Sequence, residues 1–269
     1  KGRIYSLESN YRHAIENYYK AIALYRGPFL NDLYGYLAES FSGSGYRKIG
    51  EKFLIEALAL DDDSASYYGS LATYESHSGN FVKGIELLKR ANEIDSTQSF
   101  RYWLIGNNYL FLGQVEEALV HYIKCYDMHQ AQLYPEHFSA GLLMRIGESY
   151  LYLGKEQTAE YYLFKARELY NELKELGRMV YYSESLSMYE LSLLFAILGD
   201  KDKAFEYLSL YNQSQHVPLW FVTQVKVEPA FNSIRDDRPR QHVRRRHADP
   251  RQDAHRQQRH QAGRGIQAD

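Results

Sequence analysis

Apolar and small residues recur along this chain at fixed offsets that suit paired helices. In Leu104–Tyr126, LIGNNYLFLGQVEEALVHYIKCY, two helix-like halves flank Gly113. Gly106 and Tyr109 stand before that glycine, and Ala118, Tyr122 and Cys125 follow it. The pattern predicts a helical hairpin that turns at Gly113, because glycine can take the left-handed backbone that ends a helix. Small residues at the crossing let two helix backbones approach closely, and large aromatic side chains fill the space beside them.

The same offsets return elsewhere. Gly45, Gly79 and Gly113 are each 34 residues apart. Five places after each stands Gly50, Gly84 or Ala118, and seven further on Ala57, Ala91 or Cys125. Eight places before each stands Leu37, Leu71 or Ile105, followed by Ala38, Ala72 or Gly106. With altered spacing the pattern continues through Gly147, Tyr150, Gly154, Ala159 and Ala166, and again at Gly199 and Ala204. Gly113 to Gly154 is 41 residues, which predicts about two extra helical turns or a longer loop around HQAQLYPEH. At the start, Ala14, Tyr18 and Ala21 mark a second helix, with Gly2 and Tyr5 where the first should end. The chain therefore reads as beginning inside a repeat, with about six hairpins, the first truncated.

A period of 34 with these small residues resembles the tetratricopeptide repeat, a helix–turn–helix unit. The resemblance implies an all-α fold, a right-handed superhelix of stacked antiparallel helix hairpins, expected over residues 1–216. One hairpin cannot bury its apolar stripe alone, so successive hairpins stack. Residues 217–237, starting with VPLWFVTQVKVEPAF, are expected to form a C-terminal capping segment over the open face of the last repeat. Pro218 breaks the preceding helix, Leu219, Trp220, Val222 and Val227 suggest an apolar stripe, and Phe231 is expected to point inward from a short turn at Pro229. The stretch EPAFNSIRDDRPR resembles a segment found just after such repeats in bacterial regulatory proteins, among them winged-helix transcription regulators and adenylate-cyclase-like or kinase-linked proteins. The match ends at Arg238.

Charge alters the picture at the end of the chain. The total is −2, but residues 238–269 hold nine Arg and three Asp, a net +6, which leaves −8 on the body. Three readings of this tail stand side by side: a basic arm for nucleic acid or acidic partners, a disordered end that cannot bury enough apolar area to fold, and a slipped reading frame. The 26 tyrosines suit half-buried layers between helices. Cys125 is the only cysteine, which excludes an internal disulfide and a thiolate metal set. It also weakly favours a cytoplasmic location. No apolar run approaches the ~20 residues of a membrane helix.

Catalytic chemistry is not expected. The chain has no Gly-rich phosphate loop and no Gly-x-Ser-x-Gly elbow. Cys125 takes a small-residue place in the repeat and is expected to be a packed core thiol. His121 is expected at the surface. Within Asp61–Asp63, Asp63 is expected to cap the next helix, together with Ser64 as the alternative. The tail histidines lack a tight metal spacing. No enzyme activity, no cofactor and no metal are expected.

A binding face remains. In the resembled superhelix the first helix of each hairpin lines the concave side, so the repeat register nominates Tyr36, Glu39, Ser70, Thr73, His77, Trp103, Asn107, Phe111, Arg145, Glu148, Tyr152 and Tyr189 as groove residues. Aromatics there would bury a peptide, and Asn107 and Arg145 would hydrogen-bond it. Trp103 and Phe111 read equally as packing between neighbouring hairpins. Family members that clamp a C-terminal carboxylate use paired Lys and Asn. Asn107 fits the Asn place, but Gly69, Trp103 and Met144 stand at the Lys places, so that role is not carried over. The expected function is a non-catalytic interaction module that binds a protein or peptide segment, as the regulatory part of a larger bacterial signalling or transcription-regulating protein. The alternative is a structural scaffold that stacks on an upstream domain or another copy through its open terminal hairpins. Nucleic-acid binding rests on the tail alone.

Overall fold

Among the described residues six helix pairs follow one another along the chain. They are α1 (Gly2–Leu7) with α2 (Tyr11–Leu24), α3 (Leu30–Gly43) with α4 (Arg47–Asp61), α5 (Ser64–His77) with α6 (Phe81–Ile94), α7 (Ser99–Phe111) with α8 (Val115–Gln130), α9 (Glu136–Tyr152) with α10 (Glu156–Glu175), and α11 (Glu184–Ile197) with α12 (Lys201–Asn212). After them come α13 (Leu219–Val227), a 3₁₀ turn at Pro229–Phe231 and the single-turn α14 (Asn232–Arg235). This computed structural model describes residues 1–8, 10–27, 29–61, 63–130, 136–177, 184–213 and 219–235. No strand occurs among the described residues.

The hairpin turns share one hydrogen-bond design. Gly113 has φ +74, and the next amide, Gln114 N–H, donates to the Tyr109 carbonyl at 2.9 Å. This six-residue closure ends a helix by satisfying a carbonyl that has no partner inside it. The same closure joins Tyr46 to Phe41, Asn80 to Glu75, Lys155 to Tyr150 and Asp200 to Phe195. Asp63 caps α5 by accepting from Ser66 N–H at 3.0 Å, as its position predicts.

Small residues thin the seams. A Cβ on Gly106 would sit 2.5 Å from the Tyr122 ring, and one on Gly147 2.7 Å from Leu163 Cγ. Leu37, Ile105 and Ile146, at equivalent places in α3, α7 and α9, are all buried. Between hairpins, α2 packs on α3, α4 on α5, α6 on α7 and α8 on α9. The result is a right-handed superhelix of antiparallel hairpins. Part of the predicted insertion after Gly113 is helix: α9 has 17 residues where α7 has 13. The remainder, including residues 131–135 of the predicted loop, lies outside the described residues. Lys1–Asn232 form one compact unit; of the second, Ser233–Asp269, only Ser233–Arg235 are described. All readings of the 238–269 tail therefore fall outside the described residues, as do the side chains of Leu219, Trp220 and Val222.

The segment after the sixth hairpin reaches well beyond that hairpin. Its helix α13 packs against α5, three hairpins back, and its 3₁₀ turn packs against α11. A buried ion pair also ties it to α9. All three contacted helices are the first of their pairs, so the segment runs along the first-helix face.

Candidate functional site

The predicted groove residues all lie on first helices, but their side chains divide into two groups. The accessible group begins on α3. Tyr36 is half-buried, stacked on Tyr18 at 5.8 Å and covered by the Arg3 guanidinium at 4.7 Å. Arg3 also pairs with the exposed Glu39 at 3.0 Å. On α5, Thr73 Oγ1 donates back to the Gly69 carbonyl, Ser70 is half-buried, and burial pushes the half-buried His77 imidazole down to about 4, which keeps it neutral near pH 7. Trp103 stacks on Phe100 at 5.2 Å and meets Phe138 of α9 edge-on at 6.0 Å. Phe111 tilts against Phe81 at 5.1 Å. Tyr152 is exposed. Trp103 and Phe111 each pack on a neighbour and stay half-buried.

The second group is not open groove. Asn107, Arg145, Glu148 and Tyr189 are buried and already partnered, which corrects the expectation that Asn107 and Arg145 present hydrogen bonds to a peptide. Asn107 Oδ1 accepts the Tyr122 hydroxyl at 2.7 Å across its own hairpin. Arg145 donates one N–H to Glu148 Oε2 at 2.7 Å and grips Glu228 with two, at 2.9 and 2.7 Å. Tyr189 O–H donates to Glu228 at 3.3 Å, and Tyr152 O–H to Glu148 at 3.0 Å. Two carboxylates thus share one guanidinium in a place without water access: Arg145, Glu148 and Glu228 are at most 5% exposed.

Electrostatics follow from that crowding. Burial alone would push Arg145 down, but Glu228 and Glu148 outweigh it and hold the guanidinium well above its ordinary range. Burial, opposed by Arg145 and reinforced by Glu228, raises Glu148 to about 7. Burial likewise lifts the Tyr189 hydroxyl far above its usual range, so it stays a donor. Sequence reading missed Glu228 as a site residue. It stands 83 residues from Arg145, and no period links the two. The available signal was a single carboxylate inside the otherwise apolar VEPAF stretch.

Two other expectations meet the structure here. Cys125 is fully buried, and its thiol is pushed up to about 12 by burial. His121, expected at the surface, is half-buried and stacks on Tyr102 at 6.2 Å and Tyr109 at 5.5 Å. Burial, with Lys89 and Lys124 nearby, lowers its pKa.

No protein-family model matches the chain, and no curated protein matches it. Solved structures do. The Cut9–Hcn1 hetero-tetramer of the APC/C is 14% identical, with 82% of this chain and 40% of that one covered and a TM-score of 0.56. The fold is a tetratricopeptide-type solenoid. The chain is also similar to MamA, at 21% identity over 65% of this chain and 96% of that one with a TM-score of 0.47, and to PilF of Pseudomonas aeruginosa, at 18% identity over 84% and 94% with 0.46. The first-helix face of this solenoid carries Trp103, Tyr36 and Tyr152 and already holds Glu228. Among the described residues no helix is long and apolar enough to cross a membrane.

Proposed function

We propose that the chain is a non-catalytic protein-interaction module that takes a partner segment along the first-helix face of its solenoid. One observation carries the reading: that face already accommodates a stretch of polypeptide, the chain's own α13 and 3₁₀ turn, through side chains of α9 and α11. Accessible aromatics on the first helices supply contact area of the kind that dominates interface energies, with Phe100, Trp103 and Phe138 forming a continuous cluster between two hairpins. The further role, as the regulatory part of a larger bacterial signalling or transcription-regulating protein, rests on the resemblance at EPAFNSIRDD.

The test uses purified partners. Proteins captured by the chain are identified, produced separately and titrated against wild type and a Trp103→Ala/Tyr152→Ala variant. A loss of about tenfold or more in affinity is expected, since aromatic anchors commonly contribute more than 1 kcal/mol each. Equal affinity for wild type and variant would remove this face from the binding reaction. A second reading, a scaffold that stacks on its own kind, draws on the exposed Ile4, Leu24 and Phe29 at the first hairpins. It predicts a molar mass in solution above that of one chain, lowered by Leu24→Ser/Phe29→Ser.

A further inference from the structure

The segment that closes the described chain is seated like a ligand. Along α13, Thr223, Gln224 and Val225 are half-buried and Lys226 and Val227 are exposed, whereas Glu228, Ala230 and Phe231 are buried. Glu228 takes two N–H donors from Arg145 and the hydroxyl of Tyr189. Phe231 packs edge-on against the Tyr189 ring at 6.1 Å. Pro229 fixes the backbone between the two anchors and so presets their spacing. Glu228 and Phe231 are therefore the two side-chain anchors of the turn, beside the packing of α13 on α5.

The ion pair points to recognition rather than bulk stability. Bringing two charges out of water costs nearly what their attraction returns, and an apolar pair of the same size often serves stability as well or better. What a buried bidentate pair does supply is selection: only a carboxylate at one position completes it. With Glu228 withdrawn, Arg145 would keep Glu148 but lose two of its donors' acceptors. A vacated site would then favour another carboxylate over an uncharged residue.

We propose that Arg145 and Tyr189 form a receptor for an acidic residue followed by Pro-x-aromatic, that Glu228–Phe231 is its resident occupant, and that a partner peptide with this chemistry takes the same place when the resident segment leaves. The proposal rests on the interaction-module reading and adds to it the class of ligand and an internal competitor. Competition lowers the apparent affinity for a partner by the fraction of molecules whose site is open.

The probe is a fluorescein-labelled peptide, VKVEPAFNSIR, the sequence of residues 225–235. It is titrated by anisotropy against the whole chain, wild type and Glu228→Gln/Phe231→Ala. The variant is expected to bind about tenfold or more tightly than wild type, as an opened site should. A peptide with Gln in place of its Glu is expected to bind the variant about tenfold or more weakly. A helical, cooperatively melting variant that binds neither peptide overturns the proposal. Should the variant not fold, the wild-type chain is followed by hydrogen exchange with excess peptide. Faster exchange at residues 223–231 supports displacement, and unchanged exchange overturns it. A wild-type dimer that Glu228→Gln dissolves would show the occupant to be a second copy's segment and would overturn the partner assignment. Failure here with a purified partner still sensitive to Trp103→Ala/Tyr152→Ala sinks only the receptor; insensitivity in both assays sinks the module reading as well.

Discussion

At the residue scale, the most consequential side chain is Arg145. Replacing it with Met would leave Glu148 and Glu228 buried with no cation between them, a loss of about 3–5 kcal/mol for a broken buried pair. Urea unfolding should show this as a large drop in midpoint, and Glu228→Gln, which keeps the shape and some hydrogen bonding, should cost less. Glu148 makes a separate prediction about pH. Its pKa rises from an ordinary 4.5 to about 7 on folding, so between these values the folded chain holds a proton that the unfolded chain has released. This group's contribution is full below about pH 4.5, falls as pH rises to about 7 and is level above. Comparing wild type with Glu148→Gln across that window isolates it; equal slopes would show that Glu148 does not carry the proton. These residues also mark what sequence could reveal. Cys125 and Ala118 were legible because they sit in a period, and periodic places are packing places. Arg145 and Glu148 were placed on the correct helix by the same register, yet their burial was illegible. It depends on Glu228, which belongs to no repeat and arrives from a distant part of the chain.

At the scale of elements, two glycines in one hairpin make different demands. Gly106 has ordinary helical geometry but faces the Tyr122 ring, with an added Cβ only 2.5 Å away. Gly106→Ala should therefore act by overpacking, at about 1–3 kcal/mol. Gly113 has open space around it but a φ of +74. Gly113→Ala should cost about 1 kcal/mol through the left-handed backbone alone. A compensating cut to the aromatic, Tyr122→Leu, should recover part of the first loss and none of the second; equal recovery would refute the assignment. Most hairpins were readable because each couples a turn glycine to seam residues at fixed offsets, and both physical needs recur every 34 residues from Gly45 to Gly113 and at longer spacing through Gly154 and Gly199. The closing segment was not. Its apolar spacing announces a helix that must be covered but does not encode which face covers it. Placement on α5, α9 and α11 is a tertiary outcome, set by the Glu228 ion pair and the Phe231 contact.

At the scale of the whole described unit, that placement changes how unfolding should proceed. A solenoid held by contacts between neighbouring hairpins tends to lose its ends first, since each repeat is stabilised by those beside it. Here the closing segment links α5 of the third hairpin to α9 and α11 of the fifth and sixth, which adds a tie between units that do not follow one another. Cys125 offers a probe of the middle, because it is buried in the fourth hairpin and its thiol pKa of about 12 leaves almost no thiolate at neutral pH until that hairpin opens. In wild type, loss of helicity and labelling of Cys125 by a thiol reagent should follow the same urea midpoint. In Glu228→Gln/Phe231→Ala the tie is weakened, so the outer hairpins should fray first: helicity should begin to fall at lower urea than thiol labelling, and the helicity transition should broaden. Two coincident, equally sharp transitions in that variant would mean that neighbour contacts alone hold the hairpins as one cooperative body and that the segment's reach across them adds no coupling.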